Sequence, residues 1–185
     1  MEEIESTRRA KDAHGPTLSP FYDSLQYIGK HAKGNGNMKM VAFFPFIQED
    51  LHKILTREIV SVFDNLLLDY KPQIIYTHWN HDSHQDHHII SQAVLSATRH
   101  NQCDVYMFEQ IIPGGIMPYS FRAQKIVDIS KYINSKVLSL KAHKSQMKKN
   151  KYDWIVGIRG RASQWGYTIG VKYAEAFEVV KIIEK

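Results

Sequence analysis

The stretch that decides the fold runs Lys71-Pro72-Gln73-Ile74-Ile75-Tyr76-Thr77-His78-Trp79-Asn80-His81-Asp82-Ser83-His84-Gln85-Asp86-His87-His88. Lys71-Pro72 ends any helix before it, because proline's ring disfavours helical geometry in the preceding residue. Gln73 to Thr77 is short, apolar and β-branched, which predicts a buried strand. Beyond the histidines, Ile89, Ile90, Ala93, Val94 and Ala97 are the apolar positions of a predicted helix over residues 88–100. Strand, polar loop and helix in that order form part of a βαβ unit.

Working upstream, Leu51, Ile54, Leu55, Ile59, Val62, Phe63, Leu66 and Leu67 recur at i, i+3, i+4, which predicts a helix over residues 50–70 with that stripe in the core. Met40 to Phe44 reads as a buried strand ending at Pro45. Before it lie a polar helix over residues 2–14, a break at Gly15-Pro16-Thr17, a short helix over residues 21–28 and a turn at Gly34-Asn35-Gly36-Asn37. Downstream, residues 104–108 and 126–129 are strand-like, and Pro113-Gly114-Gly115 is a loop. Ser130 is placed to cap a helix reaching about Met147, with Tyr132, Val137, Leu138 and Leu140 on its apolar positions. Residues 153–162 read as helix and residues 173–183 as strand, helix or both. Helices alternating with short apolar strands imply an α/β layer fold with a largely parallel sheet.

At 185 residues the chain has the length of one domain, or of part of a slightly larger one. Its 43% hydrophobic and 23% charged residues exclude disorder and a collagen-like fibre as the main state. No run approaches the ~20 apolar residues of a membrane span, and the acidic start Met1-Glu2-Glu3-Ile4-Glu5 is no secretory signal. The single cysteine, Cys103, forms no internal disulfide, so a cytoplasmic location is expected. The formal charge is +5, with Lys141, Lys144, Lys148, Lys149 and Lys151 crowded together and Arg159 and Arg161 close behind. No ribonucleoprotein, zinc-finger or helix-turn-helix pattern accompanies them, so they read as a solvated helix face and specific nucleic-acid binding is not expected.

Histidine is the unusual component: ten in all, with His78, His81, His84, His87 and His88 in the deciding stretch. They follow a predicted parallel strand, and ligands of open α/β sheets gather in the crevice outside the carboxyl ends of strands. Imidazole and carboxylate suit zinc and related divalent ions. His84 and His87 are three apart, so they share a face if the helix has begun there. Asp86 lies between them and is placed to orient a histidine, as is Asp82 from the loop. A lone histidine is usually just a satisfied polar residue, and His78, His81 and His88 are read as surface or supporting groups.

Lys71 to His78 followed by His84-Gln85-Asp86-His87 resembles the PIG-L/LmbE-like family of zinc-dependent de-N-acetylases, which act on N-acetylglucosaminyl lipids and related sugar conjugates. Their motif is usually His-Pro-Asp-His; Gln85 stands where proline is usual. Ile126-Val127-Asp128-Ile129 resembles the family's strand before its penultimate helix. Residues 136–146 resemble its helix ending in His-Lys-Ser-Gln, here His143-Lys144-Ser145-Gln146. Arg159-Gly160-Arg161, Gly166 to Gly170 and Tyr173 to Glu178 resemble its closing segment, so the similarity spans about residues 39–181. The resemblance implies a three-layer Rossmann-like fold with a mainly parallel sheet. It implies a zinc cofactor held by His87, oxyanion stabilisation by His84, and Asp86 orienting or tuning His84. His143 is a further residue within possible reach of the site.

The family's opening Ala-His-Pro-Asp-Asp segment, source of two zinc ligands and the general base, has no counterpart in these 185 residues; Ala13-His14-Gly15 is a poor substitute. The expectation is therefore one deacetylase domain over residues 1–185, lacking the family's first strand-helix-strand unit. The function implied is removal of an N-acetyl group from an N-acetylglucosamine-type conjugate by an enzyme represented here by a truncated chain. The alternative is a non-catalytic or split-enzyme partner subunit that binds a sugar or a complementary N-terminal chain. Exposed sheet edges and apolar faces in such a chain would favour poor solubility or homo-oligomerisation. Arg122, Arg159, Arg161 and Lys172 are candidates for a substrate phosphate or carboxylate, and Trp79 and Trp165 either stack on a sugar or pack.

Overall fold

The computed structural model describes residues 40–42, 51, 54–109, 119–142, 147 and 154–184. The expectations for residues 1–37, for Pro113-Gly114-Gly115 and for His143 lie outside them. Among the described residues the elements follow in chain order: β1 (Met40–Ala42), α1 (Thr56–Tyr70), β2 (Ile74–His78), α2 (Gln85–Thr98), β3 (Asp104–Phe108), β4 (Lys125–Asp128), α3 (Ile133–Ala142), α4 (Trp154–Ile169) and β5 (Ala174–Lys181). The fold is mixed α/β, as the alternation predicts. The chain forms two compact units: residues 1–107 with 180–185, and residues 108–179.

In the first unit β1 and β2 pair in parallel, Met40 opposite Ile74 and Ala42 opposite Tyr76. β3 lies on the other side of β2, and the N–H of Asp104, its first residue, donates at 2.9 Å to the carbonyl of Gln73, the residue before β2. Helix α1 packs on α2, and α2 on β2. Their apolar faces close one core of Leu51, Ile59, Val62, Phe63, Leu67, Ile75, Ile90, Ala93, Val94, Ala97, Cys103 and Val105. Burying aliphatic and aromatic side chains on this scale is the main drive to fold, at about 1.5–3 kcal/mol each.

The α1 stripe reaches the core with two corrections. The helix starts at Thr56 rather than residue 50, because Leu55 is extended (φ −63°, ψ 131°). A separate turn, Ile54 N–H to the Leu51 carbonyl at 3.0 Å, precedes it. That break buries Leu51 and turns Leu55 out to 54% exposure. At its other end the helix stops at Lys71, left-handed at φ 44°, directly before Pro72.

In the second unit β4 and β5 are antiparallel, Lys125 opposite Phe177 and Asp128 opposite Ala174. Among the described residues, α3 and α4 lie between them in the chain. Ile129, Ile133 and Ala162 form a small core with Val127 and Tyr173. Ser130 does not cap α3, which begins three residues later. Its hydroxyl instead bonds both backbone groups of Tyr173, at 3.1 and 3.3 Å, tying the end of β4 to the start of β5. Tyr132 and Leu138, expected on the apolar side, are 65% and 68% exposed.

Candidate functional site

The histidine stretch folds as a strand end, a six-residue loop and a helix start, all in the first unit. His78 closes β2 and is fully buried, so it is no surface residue. Burial of Trp79 and a turn from the Asp82 N–H to the Trp79 carbonyl (3.1 Å) fold the loop inward. Gln92 on α2 donates to the Asn80 side chain and holds the loop against the helix. Helix α2 starts at Gln85, three residues before its expected start. His84 is its N-cap: the ring Nδ1 accepts the Asp86 N–H at 3.3 Å. Imidazole in that place does the work usually left to serine, threonine, asparagine or aspartate. His84 and His87 therefore do sit three apart at the head of one helix.

Asp82 is the pivot. It is 5% exposed. One oxygen accepts the His84 backbone N–H at 2.8 Å, and the other lies 2.8 Å from His87 Nδ1. Burial by itself would raise its carboxyl pKa, but the His87 hydrogen bond and the His84 N–H outweigh burial and hold it below the usual carboxylate value. Asp86, the expected orienting carboxylate, is farther from its ring: Oδ2 stands 3.9 Å from His84 Nδ1, and Oδ1 is buried without a hydrogen-bond partner among the described residues. Both Asp86, between the histidines, and Asp82, in the loop, are candidates from the sequence to orient a ring. The hydrogen-bonding contact that forms crosses the loop from Asp82 to His87, and no helical period singles it out.

Three imidazoles stack. His87 is the middle ring, 4.0 Å and 9° from His78 and 4.4 Å and 20° from His84. Burial, reinforced by the neighbouring His87, pushes the His78 pKa down to about 3, so that ring is neutral at pH 7. His78, Asp82 and His87 each offer a ligand atom within 4.8 Å of the others. An imidazole lone pair lies in its ring plane, however, and two near-parallel rings cannot both aim at one ion. As folded, the group fits an ion bound by one imidazole, with the other ring as packing. An Asp82 carboxylate that accepts at Nδ1, 2.8 Å away, would leave His87 its Nε2 lone pair for that ion. His84, whose Nδ1 is an acceptor, carries its proton on Nε2 when neutral. The pair thus presents one acceptor and one donor.

His81 and His88 are exposed, and His81 meets Trp79 edge to face at 5.3 Å. Trp79 is 3% exposed, so it packs. In the second unit the remaining candidates already have partners. Trp165 donates to Glu109 at 3.1 Å, Arg161 meets Glu109 at 3.1 Å and Arg122 meets Glu178 at 2.8 Å. Arg159 donates to Asn134 at 3.0 Å, and Lys172 lies 5.6 Å over the Tyr173 ring.

Comparison with known proteins follows the same lines. Residues 28–98 match the family described as PIG-L, GlcNAc-PI de-N-acetylase. That match contains β1, α1, β2, the loop and all of α2; the downstream segments lie beyond it. Among solved structures, the conserved protein TT1542 from Thermus thermophilus is 17% identical, with TM-score 0.56 over 71% of this chain and 61% of that one. The zinc-inhibited form of teicoplanin deacetylase Orf2 is 20% identical, with TM-score 0.55 over 83% of this chain and 61% of that one. GalB, the 4-carboxy-2-hydroxymuconate hydratase from Pseudomonas putida KT2440, is 17% identical, with TM-score 0.51 over 77% and 64%. These likenesses are of fold. The chain spans about three-fifths of the length of the structures it matches.

Proposed function

We propose that this chain, similar to the PIG-L/LmbE-like family in its residues 28–98 and in its fold, is the histidine-bearing part of a zinc-dependent hydrolase that removes an N-acetyl group from an N-acetylglucosamine-type conjugate. The observation that carries the reading is the head of α2, where His84 Nδ1 accepts the Asp86 N–H and His87 Nδ1 lies 2.8 Å from Asp82, an arrangement that would offer one ring acceptor beside one ring donor. Hydrolysis of an acetamide adds water across the C–N bond and releases acetate and a free amine. It needs an acid at the carbonyl oxygen, a stabiliser for the developing oxyanion and a base for the water.

His87 would hold zinc through Nε2. Zinc, when bound, acidifies water and polarises the carbonyl. His84, donating from Nε2, would stabilise the oxyanion, with the Asp86 carboxylate 3.9 Å from its Nδ1. The remaining ligands and the base would come from a segment of the family's His-Pro-Asp-Asp type, outside these 185 residues. Fold alone does not fix this chemistry, since a structure of similar fold is named as a hydratase; the test must therefore read the acetyl group itself.

The test measures zinc content and acetate release from N-acetylglucosamine conjugates. It compares the 185-residue chain, its His87→Ala variant and a version lengthened by the upstream coding sequence. The reading predicts zinc and acetate release in the lengthened protein, both lost in its His87→Ala counterpart. Zinc in neither length sinks it and leaves the sugar-binding or partner-subunit reading.

A further inference from the structure

We propose that Asp82 is a positioning residue that sets the tautomer of His87, and so decides which ring nitrogen that histidine offers to a ligand. The inference rests on the hydrolase reading only for the identity of the ligand, zinc.

The argument is one of counting hydrogens. The buried Asp82 carboxylate has two neighbours, each 2.8 Å away: the His84 backbone N–H on Oδ1 and the His87 ring Nδ1 on Oδ2. A carboxylate has no hydrogen to give, so His87 must supply one from Nδ1. That leaves Nε2 as the lone pair. The rings of His78 and His84, one on each face, confine His87 to a slot in which its plane is fixed.

Asparagine at position 82 would occupy the same volume with one acceptor and one donor. The His84 N–H is a backbone group and cannot change role, so it claims the single amide oxygen. The amide NH2 then faces His87 Nδ1, and the ring can accept it only by moving its proton to Nε2. One atom exchanged in the loop would close the nitrogen that faces the ligand, with the fold unchanged. Supporting groups of this kind typically tune metal affinity 10–100-fold.

The experiment uses the 185-residue chain and its Asp82→Asn variant, labelled with 15N in histidine and free of metal. Ring-nitrogen shifts and couplings report the tautomer, and zinc alone is then titrated against a chromophoric chelator. The inference expects Nδ1–H at His87 in the parent chain, Nε2–H in Asp82→Asn, and a loss of about 10–100-fold in zinc affinity. Nε2–H in the parent chain overturns it and needs no variant that folds. Nδ1–H retained in a folded Asp82→Asn, confirmed by circular dichroism, overturns it too. If the tautomer switches as expected but neither 185-residue protein binds zinc, this inference stands, and the zinc reading stands or falls on the lengthened protein.

Discussion

His78 shows how much a single side chain can hide. At the end of a strand beside four other histidines it reads as a bystander, because nothing in residue spacing distinguishes a ring pointing inward from one in solvent. The structure buries it against His87 with a pKa of about 3. The consequence for stability follows from linkage. The unfolded chain binds a proton at His78 below the ordinary value of 6.5, and the folded chain does not until about pH 3. Between those values the unfolded state binds more protons, so stability falls as pH falls, by at most about 1.4 kcal/mol per pH unit. Asp82 adds to the loss at the acid end, since a carboxyl with a lowered folded pKa gives up its contribution as pH falls through that value. Chemical denaturation of the metal-free chain at several pH values should show this slope, and His78→Phe should flatten it between about pH 6 and 4. An unchanged slope in the variant would mean that other groups set the acid limb. The stack itself was not legible in the sequence, because a contact made across a loop has no period.

Elements were legible where their physics is local. β3 occupies residues 104–108 as expected, since a short run of valine, aromatic and other apolar residues after a polar stretch favours a buried strand. Helix starts were less legible. The start of α2 depends on His84 acting as a cap, and that of α1 on a backbone break at Leu55 with no side-chain cap. The end of α4 was expected near residue 162, yet the helix continues through Gly166 to Ile169. Gly166 has a positive reason to be glycine. The C-terminal turn closes with Gly170 left-handed at φ 75° and with bonds from Val171 N–H to the Gly166 carbonyl (2.9 Å) and Gly170 N–H to the Tyr167 carbonyl (3.3 Å). This turn folds the chain back so tightly that a Cβ on Gly166 would lie 2.6 Å from the Val171 carbonyl oxygen. Backbone cannot step aside as a flexible side chain can. Gly166→Ala should destabilise the chain by about 1–3 kcal/mol, read as a shift in denaturation midpoint. Gly160, whose Cβ position is open, is the control: Gly160→Ala should be neutral or stabilising by up to about 1 kcal/mol. Equal effects at the two sites would refute the close-approach argument.

At the scale of the whole molecule, the first unit is not a contiguous piece of chain. Residues 180–185 belong to it with residues 1–107, an arrangement that hydrophobic patterning cannot announce. Lys181 donates to the carbonyls of Thr98 (2.8 Å) and Asn101 (2.6 Å), and the Ile183 N–H to the Asp104 side chain at 3.0 Å. An ammonium at the end of α2 satisfies carbonyls that the helix leaves open and complements its dipole. Lys181→Met keeps much of the stem and removes the donors, so it should cost about 1.5–3 kcal/mol, measurable by urea unfolding. No loss would mean that water replaces the ammonium at no cost. Among the described residues no helix is long and apolar enough to cross a membrane.

This closure also imposes an order on the chain's birth. During synthesis, residues 40–107 can emerge with every apolar element of their core in hand, while the end of α2 still waits for a side chain encoded some eighty positions later. The nascent segment is therefore exposed to chaperones and to mispairing until the strand carrying Lys181 has cleared the ribosome. A stall placed before that codon should leave the first unit more open to protease than the same residues in the released protein.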